Sequence, residues 1–447
     1  MTPLTTAPRQ AIVVVGLGYG DESKGATVDY LASTIDDTVA VVRWSGGAQA
    51  AHNVRHGPRH HTFRQFGSAT FLGVPTILRA PMLVNPLLLN AEAAELETKG
   101  VADPLGLITA DATCLVTTPI HAAMNRAREI LRGTARHGST GLGIGETVAY
   151  DLAIQQLAKR SELIGNFPCP ADAPAVPALR LGDLADRTTT TAALDALATY
   201  ARPLLNLVDD ADARHPSVAE MTDELMTVAR EIRIVDDIDA AISEALDAGT
   251  VIFEGSQGLL LDEWHGFHPH TTWATVTPRH LVAGLTAAGH RPYVLGLTRT
   301  YATRHGHGPM PTEDGTLELP EPDNGPGLYQ GSWRTGHLDL PALRYAAKVA
   351  GRIDGVGVSH LDALAHGGLC VARTWDGDPD PLPLPTGQDL NQLDALTVTA
   401  SSAHPSLEPL PHNDHEVLAL ISEAVGAPVV LTSDGPSRLD RRLMAFV

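Results

Sequence analysis

Apolar residues in this chain fall in short unbroken runs rather than alternating with polar ones. The first is Ala11, Ile12, Val13, Val14 and Val15, and similar runs recur at 39–42, 251–253, 293–297, 356–358 and 429–431. A strand reads this way when both of its faces are covered, as in a parallel sheet between helical layers. Helical patterns separate most of the runs; Leu343, Ala346, Ala347 and Ala350 repeat at helical spacing ahead of Gly351, which is placed to cap the helix end. The expectation is an α/β fold with a large, mostly parallel central sheet flanked by helices. Residues 188–242 read as a mainly helical insertion over that sheet. Segments 167–177 and 376–385 are proline-rich and read as surface loops. Residues 1–10 read as a disordered N-terminus and 11–447 as a single domain, without an internal repeat.

Composition narrows the function. The 447 residues are 43% hydrophobic, enough for a large core, and 32 Lys plus Arg against 52 Asp plus Glu give a formal charge of −20. That balance argues against broad binding to nucleic acid or anionic membranes, so any polyanionic ligand is held locally. No apolar run approaches the roughly 20 residues that span a bilayer, and the first ten residues lack a signal pattern; the expected location is cytoplasmic. Cys114, Cys169 and Cys370 lack paired spacing, which disfavours a disulfide framework or a cysteine zinc site.

Six segments carry chemistry. Gly18-Tyr19-Gly20-Asp21-Glu22-Ser23-Lys24-Gly25 follows the first strand and opens a helix, so backbone N–H groups and a lysine converge where a phosphate would sit. Ser23 stands where a standard P-loop has glycine, and Gly25 where Ser or Thr would meet magnesium; an ordinary tight turn reads the same way. Arg43-Trp44-Ser45-Gly46-Gly47-Ala48-Gln49-Ala50-Ala51-His52 lies beyond a strand end, where open α/β sheets bind ligands. Gly138-Ser139-Thr140-Gly141-Leu142-Gly143-Ile144-Gly145 can wrap a phosphate without charge. In Glu254-Gly255-Ser256-Gln257-Gly258, followed by Asp262, His265 and Thr272, Gln257 offers a donor and an acceptor to a purine edge. Thr303-Arg304-His305-Gly306-His307-Gly308-Pro309 is too unusual to reflect composition alone. His360-Leu361-Asp362 and Ser433-Asp434-Gly435-Pro436 each follow an apolar run, and a carboxylate there can accept from N1 and N2 of guanine.

In this order the segments resemble adenylosuccinate synthetase, over residues 11–438. The resemblance implies a P-loop-NTPase-related fold, a homodimer, and a GTP-dependent carbon–nitrogen ligase that phosphorylates O6 of IMP or a close 6-oxopurine nucleotide before an amine replaces it. Under it Asp21 matches the base that removes the N1 proton, His52 the residue that polarises the γ-phosphoryl group, and Lys24 a phosphate-binding lysine. Asp21 and the Ala51 backbone would hold Mg²⁺. Gln257 would read hypoxanthine, and Gln49, Thr140 and Thr272 the 5′-phosphate. Gly20, Glu22, Ser23, Lys24 and Gly25 would bind the GTP phosphates. Asp362, Ser433, Gly435 and Pro436 would form the guanine pocket, with His360 where the family has a lysine packed on the base.

The chain departs from the family before Thr335-Gly336-His337, where an arginine run clamps the aspartate carboxylates. Here it reads Leu328-Tyr329-Gln330-Gly331-Ser332-Trp333-Arg334. A dicarboxylate is costly to desolvate without paired cations, and Arg334 alone remains. The expected amine is therefore less anionic than L-aspartate, an amino sugar or another amino acid, with Leu328, Tyr329, Trp333 and Arg334 as its loop and Tyr329 with Trp333 suited to a sugar face. An ordinary adenylosuccinate synthetase with a rearranged loop is the alternative. A catalytically silent nucleotide-binding protein is a third reading, opposed by Asp21, Lys24 and His52. The segment 145–180 is also longer than in the family, and Arg160 stands by position for the arginine that reaches the partner subunit's nucleotide.

Overall fold

The computed structural model describes residues 9–155, 176–319, 321 and 323–444. Residues 1–8, Arg160, Cys169 and most of the 167–177 segment lie outside the described residues. The apolar runs become strands of one ten-stranded sheet. Numbered along the chain within it, these are β1 (Ala11–Gly16), β2 (Thr38–Arg43), β3 (Thr76–Leu78), β4 (Ile108–Asp111), β5 (Arg233–Val235), β6 (Thr250–Gly258), β7 (Tyr293–Arg299), β8 (Gly355–Ser359), β9 (Val429–Ser433) and β10 (Arg441–Leu443). Their spatial order is β10-β9-β8-β7-β1-β6-β2-β3-β4-β5, parallel throughout except for β10 against β9.

Alternation along β1 explains why its sequence is apolar throughout. Ile12 and Val14 pack with Val28 and Leu31 of the Lys24–Thr34 helix on one face. Val13 and Val15 point the other way, into a cluster with Leu343, Tyr345 and Ala346 of the Leu340–Ala350 helix. Both faces are buried, so a polar residue at any of these positions would lose its solvation; each buried aliphatic contributes about 1.5–3 kcal/mol. Gly351 caps the Leu340–Ala350 helix in a left-handed conformation, φ 84°, its N–H donating to the Ala347 carbonyl.

The 188–242 stretch holds the Arg187–Leu205 and Val218–Glu231 helices and the start of Ile238–Ala248. It also supplies β5, the sheet's edge, so it is built into the sheet as well as over it. Among the described residues, no helix is long and apolar enough to cross a membrane, and Cys114 and Cys370 are free thiols.

The Leu340–Ala350 helix begins at a buried carboxylate. Asp339 accepts from the Ala342 N–H at 3.0 Å and from Trp375 Nε1 at 3.0 Å, and burial pushes its pKa up to about 7 despite both donors. Because the folded value lies above the unfolded one, the penalty for ionising Asp339 is absent below about pH 4 and grows as pH rises towards 7. Asp339→Asn, which keeps an acceptor for the cap, is expected to flatten the loss of stability between pH 4 and 7 by an amount of order 3 kcal/mol. Urea unfolding of both proteins at pH 5 and pH 8 measures this; parallel slopes would contradict it.

Candidate active site

The carboxyl ends of the parallel strands all open on one side of the sheet. The chain leaves β1, passes over the β6 position to lay down β2 to β5, and returns to place β6 between β1 and β2. Connections diverge there, and the crevice they leave is where open α/β sheets take ligands. A cavity of about 830 Å³ occupies it.

The glycine-rich loop turns from β1 into the Lys24–Thr34 helix. Lys24 is buried, its Nζ donating to the Gly20 carbonyl at 2.7 Å and pairing with Glu22 Oε2 at 3.3 Å, while the Gly20 N–H donates to Glu22 Oε1 at 2.8 Å. The loop thus closes its lysine and a backbone donor on an internal carboxylate. Close packing explains two glycines. A Cβ at Gly25 would stand 2.5 Å from His52 Cβ, and one at Gly258 would stand 2.1 Å from the Gly18 carbonyl oxygen. Ser23, at the helix N-cap, is left-handed with φ 58° and no side-chain cap bond. An L-residue is strained there. Ser23→Gly is expected to stabilise the fold by about 0.5–1 kcal/mol, the relief exceeding glycine's larger unfolded entropy; a denaturant titration in which the variant unfolds earlier would refute this.

Asp21 faces the cavity. Its Oδ2 accepts from Thr303 Oγ1 at 3.2 Å and lies 3.3 Å from His305 Nε2. Burial opposes its charge, but the His305 contact, with Arg299 and Lys24, outweighs burial and holds the carboxyl down at about 2. His305 is raised in turn by Asp21 against the pull of its own burial.

His52 is buried beside the loop. Its Nδ1 lies 2.5 Å from Glu254 Oε1 and its Nε2 3.2 Å from the Ser256 carbonyl. Glu254, fully buried on β6, also accepts from the Ser68 N–H at 3.0 Å. Burial disfavours its charge, yet Arg43 and His52 outweigh that and keep it ionised, at about 2. For His52, burial and then Arg43 lower the pKa while Glu254 raises it. The carboxylate fixes the ring through Nδ1, but burial and Arg43 outweigh its pull, so the net shift is downward and favours the neutral imidazole.

The structure gathers most residues singled out in the sequence around this cavity. Gly20, Asp21, Ser23, Lys24 and Gly25 line its floor. Gln49, Ala51, His52, Thr140, Gln257 and Thr272 line its flank. His360, Asp362, Gly435 and Pro436 line the far end. Both amide atoms of Gln49 and of Gln257 are buried without a hydrogen-bond partner among the described residues. An unpaired buried amide is costly, so each is a ready donor and acceptor for a ligand. At the far end burial raises Asp362, and burial with Arg299 and Arg441 holds His360 neutral; the His360 ring stands edge-on to Tyr301 at 5.7 Å.

Other singled-out residues do not reach the cavity. Glu22 is turned beneath the loop, and Ser433 supports its neighbour, Oγ donating to the Gly435 carbonyl at 2.9 Å. Leu328 points to solvent, 76% exposed. Tyr329 donates to Asp212 Oδ2 at 3.0 Å with its ring against Gly141, and Trp333 sits in the hairpin Ala302–His305 with Trp333–Gly336. Arg334 is spent on protein acceptors: Nε and Nη2 on the two Glu313 oxygens, Nη1 on the Gly306 and Gly308 carbonyls at 3.0 and 2.9 Å. Gln330 of that segment and the preceding Gly327 line the cavity instead, together with the rings of Tyr19, Trp264 and Trp273.

Sequence reasoning named Glu254, Asp262 and His307 within its segments but gave them no role, and it passed over His137, His268 and His270. Glu254 follows an apolar run directly, and a carboxylate at the end of a buried strand was the available signal. Asp262, fully buried, accepts from the Trp264, Val276 and Thr277 N–H groups at 2.9, 2.6 and 2.9 Å and pairs with His265, so it shapes the loop that carries Thr272 and Trp273. His137, the His268 and His270 pair, and His307 meet on one wall although they come from three separate stretches of sequence.

A family model described as adenylosuccinate synthetase matches residues 13–441. The adenylosuccinate synthetase of Alkalilimnicola ehrlichii is 32% identical, over 96% of each chain, and that of Chromohalobacter salexigens is 30% identical, also over 96% of each. Among solved structures, a fully ligated adenylosuccinate synthetase from Plasmodium falciparum superposes with a TM-score of 0.74 at 19% identity, over 97% of this chain and 99% of that one. A succinoaminodeoxyadenylate synthetase from cyanophage S-2L, bound to dGMP and to dATP as energy donor, superposes with a TM-score of 0.56 at 17% identity, over 97% and 95%.

Proposed function

The chain belongs to the adenylosuccinate synthetase family of GTP- and Mg²⁺-using carbon–nitrogen ligases, and on that premise we propose that its cavity activates O6 of IMP, or of a close 6-oxopurine nucleotide, for replacement by an amine. The observation that carries this is the meeting of Asp21, Lys24, the His52–Glu254 pair and the unpartnered Gln257 at one crevice. Gln257 holds the purine edge while Asp21 takes the N1 proton, which leaves O6 electron-rich. O6 attacks the γ-phosphorus of GTP and GDP departs; Lys24 and the His52 ring face the charge that spreads over the transferring oxygens. The amine nitrogen then adds at C6, inorganic phosphate leaves, and the nitrogen gives up a proton. Gln49, Thr140 and Thr272 are assigned to the 5′-phosphate, and His360, Asp362, Gly435 and Pro436 to guanine.

Asp21 and the Ala51 carbonyl, both on the cavity wall, are hard oxygen donors of the kind Mg²⁺ takes beside phosphates and water. When bound, the ion supplies neutralisation of phosphate charge. The homodimer carried over from the family belongs to the same reading.

Two readings of the amine stand. The relatives' names over nearly their whole length support L-aspartate. The saturation of Arg334 by Glu313 and two carbonyls favours a less anionic amine, since no guanidinium of that loop is left to face a dicarboxylate. Phosphate release and adenylosuccinate formation from IMP, GTP and Mg²⁺ with L-aspartate decide between them: efficient turnover rejects the second reading, and GTP cleavage with another amine but not aspartate rejects the first.

A further inference from the structure

Resting on the less anionic reading, we propose that the amine donor is a neutral, polyhydroxylated amine of the amino-sugar class, bound against a wall made by His137, His270, His307 and Gln330. Three distant segments build this wall. The Gly138 backbone packs on the Gln330 carbonyl and the His307 N–H, at 3.0 and 3.4 Å from where its Cβ would stand, and a Cβ at Gly308 would lie 2.7 Å from that of His270.

The cations around the wall are already matched. Arg304 donates to the His307, Pro309 and His270 carbonyls at 3.0, 2.8 and 3.0 Å and lies over the Tyr19 ring. Arg132 pairs with Glu129 at 2.9 Å and Arg128 with Glu146 at 2.7 Å, one carboxylate to each guanidinium. What His137, His270 and His307 present on the wall is imidazole. Burial holds His137 and His270 at about 4, so charging either to receive a carboxylate at pH 7 costs a factor of about 10³. A neutral imidazole offers one donor and one acceptor, which suits hydroxyl groups, and His270 Nδ1 is buried without a hydrogen-bond partner among the described residues. Trp273, whose Cδ1 lies 3.2 Å from where a Cβ of Gly145 would stand, and Trp264 add flat faces for the C–H side of a sugar ring, with Glu263 as a further acceptor.

Two measurements on the intact protein test this. With IMP, Mg²⁺ and no amine, β,γ-bridge oxygen scrambling in ¹⁸O-labelled GTP reads O6 phosphorylation by itself; its absence overturns the activation reading and this proposal with it. With scrambling established, phosphate release is followed across hexosamines, neutral amino acids and L-aspartate. We expect a hexosamine to exceed aspartate in kcat/KM by at least about tenfold, and His270→Ala to raise the KM for that hexosamine about tenfold with a smaller change in kcat, as loss of one hydrogen bond predicts. Turnover led by aspartate or a neutral amino acid, or no turnover with any hexosamine, overturns the donor class and leaves the activation chemistry standing.

Discussion

Asp21→Asn is expected to lower IMP-dependent GTP cleavage by at least about 10³-fold, with the protein folded as before. General-base removal alone accounts for roughly 10²–10⁴, and the same change takes a charged oxygen from the place proposed for Mg²⁺. Asparagine keeps the size of the side chain and an acceptor for Thr303 Oγ1, which now donates to Asp21 at 3.2 Å, so packing is preserved. Single-turnover phosphate release, alongside circular dichroism for integrity, makes the measurement. Release within tenfold of the parent would remove Asp21 from the mechanism.

The second large effect is expected at His52. His52→Ala deletes the polar ring proposed to face the transferring phosphoryl group and should cost about 10²–10³ in kcat, the range for one preorganised electrostatic donor. Glu254→Gln separates orientation from presence. It keeps a side chain of the same shape 2.5 Å from Nδ1 but replaces a charged acceptor by a neutral amide that holds the ring less firmly, so a loss of about 10²-fold is expected. It also leaves Arg43, the first-named neighbour that keeps Glu254 ionised, with a diminished counter-charge, and a lower unfolding midpoint should accompany the kinetic effect. Equal rates for Glu254→Gln and the parent would show that His52 works without its carboxylate.

How far these residues could be read beforehand depends on how local their signal is. The β1 strand, loop and helix were legible because apolar run, glycine spacing and lysine lie within residues 11–34. So were β7, β8 and β9, each buried on both faces. The short strands β3, β4 and β5 were not, since Thr76, Thr109 and Arg233 break their apolar character and only neighbouring strands define them. Tyr329 and Trp333 look like a binding face in sequence, yet the bond of Tyr329 to Asp212 and the strand pairing of Trp333 direct them elsewhere. The histidine wall is the reverse case: His137, His270 and His307 are ordinary one by one and acquire meaning when the fold brings them together.

The position of β1 carries a further consequence. Ala11 pairs with Val251 and Ile12 with Tyr293, across some 240 and 280 positions of chain. During synthesis β1 therefore has neither neighbour until some 240 further residues have followed it. An apolar strand waiting that long with both edges open is a target for chaperones and for self-association. Fragments ending before residue 250 should accordingly be recovered as aggregates, and the glycine-rich loop after β1 should be among the last parts of the molecule to gain protection from hydrogen exchange as the whole chain refolds.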